Sequence, residues 1–126
     1  MTRKNKLTAA LATAAVAVTA FTGAAGAAGS ETKVSIKGEN GDYYGYVKSS
    51  DAANCADARK VTVFKQLGSV QDPKSDRKIG SDTADLNGNK AIWSIGNSGY
   101  KSGDFYAKAA KVPGYCKATT SKTISR

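Results

Sequence analysis

From Lys33 onward, apolar and polar positions alternate in short runs, each closed by Gly, Asn, Asp or Ser. No stretch of ten or more residues in this part keeps a 3.6-residue apolar period, so the pattern predicts strands rather than helices. Seven runs qualify: Lys33–Lys37, Tyr43–Lys48, Arg59–Gln66, Lys78–Thr83, Ala91–Ile95, Asp104–Ala109 and Ala118–Ile124. The clearest is Arg59–Gln66, where Val61 and Val63 share one face. Ala91, Trp93 and Ile95 share another, and Phe105, Ala107 and Ala109 alternate against Tyr106 and Lys108. Successive strand residues point to opposite faces, so Val61, Val63, Trp93, Phe105 and Ala107 are the expected core. Between the runs lie turn signals: Asn87-Gly88, which favours a hairpin, the polar segment Asp72–Arg77, and Tyr100-Lys101-Ser102 between two glycines. Residues 49–58 form a loop with room for one helical turn. Seven short strands in under 100 residues predict an all-β fold, a single seven-stranded antiparallel two-sheet sandwich over residues 29–126.

The preceding segment reads as an address. Arg3, Lys4 and Lys6 are followed by an uncharged, Ala-rich stretch from Leu7 to Ala28, in which Ala25-Gly26-Ala27 fits the small-residue cleavage rule. Residues 1–28 are therefore expected to be a cleavable secretory signal peptide of bacterial type, and the remainder a secreted, extracellular protein. A membrane anchor is the rival reading, but large apolar residues in this stretch are few. The whole chain of 126 residues carries 19 Lys and Arg against 10 Asp and Glu, a formal net charge of +9. Removing the three leader charges leaves +6 on a domain small enough to have a thin stability margin.

Export also interprets the cysteines. Cys55 and Cys116 are the only two, and an oxidising compartment is expected to join them in one disulfide. Closing a loop of that length is worth about 4 kcal/mol in the chain-entropy picture. The chain has no histidine. That excludes Ser-His-Asp and Cys-His catalysis and His-ligated metals.

The order of signals from Tyr44 to Ile124 resembles the transthyretin-like, or carboxypeptidase regulatory-like, sandwich found in small secreted bacterial proteins. The matching pieces are Gly45-Tyr46-Val47, Val61-Thr62-Val63-Phe64, Ile79–Asp85 with Asn87-Gly88, and Gly103–Lys108. Trp93 stands where that family has an aromatic opening a strand, although Asn89–Ile92 lengthen the gap after Gly88. An immunoglobulin-like sandwich shares the same grammar. The resemblance implies an accessory or interaction module. The hydrolytic branch of the transthyretin family relies on histidines and a characteristic C-terminal tetrapeptide; this chain has no histidine and ends Thr123-Ile124-Ser125-Arg126. No enzyme activity is expected.

Three surface features bear on binding. Asp82, Asp85, Asn87 and Asn89 offer oxygen ligands but lack the downstream Glu of an EF-hand loop. Turn chemistry accounts for them, and no metal or other cofactor is expected. Six tyrosines interleaved with lysines suggest a sugar-stacking patch, with Tyr100 and Tyr106 as the residues to test. The positive charges, among them Arg59, are spread along the chain with no polybasic run, so retention on an anionic cell-wall polymer or polysaccharide would be summed over many weak contacts. The expected function is a secreted, non-catalytic binding or structural module whose partner is such a polymer or another secreted protein. Neither nucleic acid nor, after signal cleavage, a membrane is expected. The alternative is an inhibitor of an extracellular hydrolase, with Tyr100-Lys101-Ser102 as the inserting turn.

Overall fold

The computed structural model describes residues 31–126; the predicted signal segment lies outside the described residues. The described part is all-β with one helical turn. Its elements in chain order are β1 (Thr32–Val34), β2 (Lys37–Glu39), β3 (Asp42–Ser49), α1 (Ala52–Cys55), β4 (Lys60–Gln66), β5 (Arg77–Thr83), β6 (Asp85–Asn87), β7 (Lys90–Asn97), β8 (Asp104–Ala109), β9 (Thr119–Thr120) and β10 (Ile124–Ser125). They form two antiparallel sheets. The first runs β9-β8-β4-β5, with β10 also on β8; the second runs β1-β3-β7-β6, with β2 also on β3.

Ten strands thus replace the seven expected, for local reasons. The first expected strand breaks at Ser35 and Ile36, which fold over Gly45 of β3 while Ile36 turns into the core. A Cβ on Gly45 would collide with the Ser35 carbonyl, so only glycine admits this crossing. Two bonds fix it: Ser35 N–H donates to the Tyr46 carbonyl at 3.0 Å, and Tyr46 N–H to Ser35 Oγ at 2.9 Å. The last expected strand breaks at Ser121, whose buried Oγ accepts the Ala107 N–H at 2.9 Å in place of a ladder bond. The tenth strand is β6, three residues reached when the chain leaves the first sheet at buried Ala84 and joins the second.

Turn chemistry shapes the second sheet. Asn40 and Gly41, with φ of 54° and 89°, link β2 to β3, as expected for a two-residue Asn-Gly hairpin. The Asn87-Gly88 signal also makes a hairpin: Asn87 pairs with Lys90 around Gly88 and Asn89. Asp51 caps α1, accepting the Asn54 N–H on its side chain.

The core lies between the sheets. Val61, Val63, Trp93, Phe105 and Ala107 are all fully buried, as the alternation requires, and Tyr43, Val47, Ala91 and Ile36 join them. Register explains the fit of the largest. Trp93 pairs with Gly45 across the second sheet, so the indole meets a position without a side chain. Tyr43 and Phe105 join the two sheets ring to ring at 4.6 Å. The Trp93 indole N–H has no hydrogen-bond partner among the described residues, so what holds this residue there is packing.

Candidate functional site

Strand register assembles a site that linear sequence spreads from Lys60 to Ala118. On the first sheet Val61 and Val63 point inward, so Lys60, Thr62 and Phe64 of β4 point outward. Their partners are Lys108 of β8 beside Thr62, Tyr106 beside Phe64, and Lys78 of β5 also beside Phe64. The chain after β8 adds Ala110 and Lys111, and the β4–β5 loop adds Pro73 and Lys74. The result is an open groove of about 500 Å³ with five lysines on its walls. Among the described residues lining it there is no carboxylate. In a groove with a partly apolar floor the field of several like charges is concentrated, favouring an anion with repeated charges.

The floor is held from beneath. Phe64 and Tyr106 stack at 5.2 Å, 14° from parallel, and both are buried although they face away from the main core. Residues 67–76 cover them, making a second small core on the outer face. Asp76 fixes the cover: its carboxylate accepts the Tyr106 O–H at 2.5 Å, the Leu67 N–H at 2.9 Å and the Asp72 N–H at 2.7 Å. Burial works against the Asp76 charge, but these three donors outweigh it and leave its pKa below the ordinary carboxylate value. Burial, then the bond to Asp76 and its charge, hold the Tyr106 hydroxyl well above the ordinary tyrosine range. Asp76 is thus a brace, committed to the loop rather than to the groove.

Arg59 is a second organiser. The positive surface expected from sequence included it, but it is buried. It shares the inward phase of Val61 and Val63, a signal present in the alternation itself. Its Nε donates to the Ala110 carbonyl at 2.5 Å, while its terminal nitrogens donate to the Cys55 and Lys117 carbonyls, each at 2.6 Å. Desolvation lowers its pKa from the ordinary arginine value. The Cys55–Cys116 disulfide lies beside this hub, with Cα atoms 5.8 Å apart. Bridge and hub together pin α1 to residues 110–117, the segment that carries Ala110 and Lys111 to the groove.

The other expected site residues divide. Tyr106 is buried in the second core, and Tyr43 is buried with its hydroxyl donating to the Tyr100 carbonyl at 2.7 Å. Tyr100 itself is half-buried against the main core. Tyr100 and Tyr106 therefore do not form a sugar platform, and the tyrosine of the Tyr100-Lys101-Ser102 turn packs against the core rather than projecting from it. Tyr44, Tyr46 and Tyr115 keep solvent contact. Among the acids and amides of the possible calcium loop, Asp82 accepts the Ser94 N–H at 2.8 Å and Asn89 lines a different pocket. Among the described residues no group of three or more Cys, Asp or Glu side chains is gathered to hold a metal ion.

Among the described residues no helix is long and apolar enough to cross a membrane. The disulfide is compatible with an extracellular protein. No protein-family model and no curated protein matches the chain.

Proposed function

We propose that the protein is a secreted, non-catalytic binding module of immunoglobulin-like topology, retained on anionic extracellular or cell-wall polymers through its lysine groove. The strand order supports the topology. With β1/β2, β3, β7 and β6 in one sheet and β9/β10, β8, β4 and β5 in the other, the sheets follow the ABED and GFC order of immunoglobulin-type sandwiches, with β5 in the place of an added C′ strand. That favours this class over the transthyretin-like one. The groove carries the functional reading, because it converts a diffuse excess of +6 into five lysines around one concavity. The expectation of retention summed over many weak, dispersed contacts changes accordingly. Loss should concentrate in a few positions. The experiment is association of the secreted protein with washed bacterial walls at low and high salt. A Lys60, Lys78, Lys108→Gln triple variant should lose low-salt association, and a Lys101, Lys117, Lys122→Gln control of equal charge should keep most of it. Equal loss in both would return the reading to nonspecific attraction.

One other feature favours the inhibitor reading. Leu67 and Val70 are 59% and 70% exposed on the β4–β5 loop. Asp76 at the loop's end accepts the Leu67 N–H at its start, and midway the Gln71 amide donates to the Ser121 carbonyl at 2.9 Å. Apolar side chains on a preorganised loop suit insertion into a cleft. A panel of secreted hydrolases, assayed with wild type and Leu67→Asp, tests this directly.

A further inference from the structure

The outer face of the second sheet carries a feature the lysine groove does not use. Its residues lie in three rows across the strands. Lys37, Tyr44 and Ser94 are in register in one; Tyr46, Ile92 and Asp85 in the next; Lys33, Lys48, Lys90 and Asn87 in the third. Tyr44 and Ile92 are 40% and 41% exposed. They belong to adjacent rows and, with Tyr46 between them, make a continuous apolar strip on an open sheet. The Lys90 ammonium lies 4.9 Å from the Tyr46 ring centroid. At the lysine-rich margin the face runs into a second pocket, about 390 Å³, to which Lys33, Lys48 and Asn89 contribute.

We propose that this face is a stacking site for an acidic polysaccharide, separate from the groove, so that the domain bridges two polymer chains. The occupant follows from the charge pattern. An apolar strip alone fits many partners. Here lysines flank it on both sides, Lys37 on one and Lys33, Lys48 and Lys90 on the other, which matches a chain of flat rings carrying carboxylates at their edges. Outward residues two apart on a strand are about 7 Å apart, close to the dimension of one sugar ring. The ring faces lie on Tyr44 and Ile92, where stacking is largely apolar. Lys90 leaves the Tyr46 ring to meet a ring carboxylate and uncovers a further platform. The acids against this surface lie on its β5/β6 side, where Asp85 is in register with Ile92 and Asp82 accepts the Ser94 N–H at 2.8 Å, while Glu31 lines the second pocket.

The site goes beyond the proposed retention and is testable apart from it. Oligogalacturonate, whose rings carry carboxylates, and inorganic polyphosphate, which has no rings, are the two probes. Both are titrated into wild type, into Tyr44, Tyr46→Ala and into the Lys60, Lys78, Lys108→Gln groove variant, with thermal melts confirming that each is folded. Oligogalacturonate affinity is expected to fall about tenfold or more in the tyrosine variant, to persist at high salt in wild type, and to survive in the groove variant. Polyphosphate is expected to show the reverse dependence. Unchanged oligogalacturonate affinity in the folded tyrosine variant, or no binding of that probe by wild type, overturns the stacking site whatever polyphosphate does. Loss of oligogalacturonate binding only in the groove variant overturns it as well, by assigning both probes to the groove.

Discussion

The two outer faces of this sandwich begin from the same ingredients and end differently. Each presents aromatics and lysines in the outward phase of its strands: Phe64, Tyr106, Lys60 and Lys108 on the first sheet, Tyr44, Tyr46, Lys48 and Lys90 on the second. On the first, the long β4–β5 connection folds back, Asp76 locks it, and the aromatics become a second core with lysines around its rim. On the second, the connections are tight hairpins with nothing to fold back, and the aromatics stay open to solvent. Loop length, rather than strand composition, decides whether an outward tyrosine is structural or available.

Both faces rest on the shared core, and its disruption should have the largest effect. Trp93→Ala should cost about 3–5 kcal/mol in urea unfolding, the usual loss for a buried aromatic. Trp93→Phe should cost much less, because the indole N–H makes no hydrogen bond that the change would remove. A Trp93→Phe penalty equal to that of Trp93→Ala would contradict packing as the residue's contribution.

Between the faces, Tyr106→Ala should cost about 3 kcal/mol or more, since it empties the second core and removes a donor from Asp76. Tyr44→Ala should stay within about 0.5 kcal/mol, as for surface changes. Similar values for the two tyrosines would erase the distinction.

A smaller effect concerns pH. The folded Asp76 pKa is lowered, so its contribution is complete above the unfolded carboxylate value, about 3.9. It is lost as pH falls through the lowered folded value. Tyr106 has the opposite sign of shift and adds its contribution below the unfolded tyrosine value, about 10, losing it in stronger alkali. Asp76→Asn should therefore remove part of the acid dependence of unfolding, and amide exchange should rise first at Leu67 and Asp72. An acid limb identical to wild type would show that Asp76 is not the brace.

Much of this architecture was legible in the alternation. The phase of Val61, Val63, Trp93, Phe105 and Ala107 needs only the two-residue period and enough apolar volume, and the cysteine pair has a single intramolecular partner choice. The strand breaks at Ser35–Ile36 and Ser121 were not, because each depends on a partner distant in sequence: Gly45 for one, the Ala107 N–H for the other. Asn40-Gly41 carries the same hairpin signal as Asn87-Gly88, and heeding it marks the β2–β3 turn. Arg59 was readable in principle from its parity with Val61. The groove was not, since Lys60, Lys78 and Lys108 become neighbours only through the pairing of β4 with both β5 and β8. Dispersed charge in a sequence is therefore a poor guide to dispersed charge in a sheet protein.

On the function proposed above, the pairing of β4 with both β5 and β8 gives a polyanion one preferred site. An amide NMR titration of the protein with inorganic polyphosphate at low salt is the test. The expected result is saturable shifts confined to Lys60, Thr62, Lys74, Lys78, Lys108 and Lys111, reversed by added salt and absent in the Lys60, Lys78, Lys108→Gln variant. Shifts distributed over the lysines of both faces, or no shifts at any polyphosphate concentration, would contradict it.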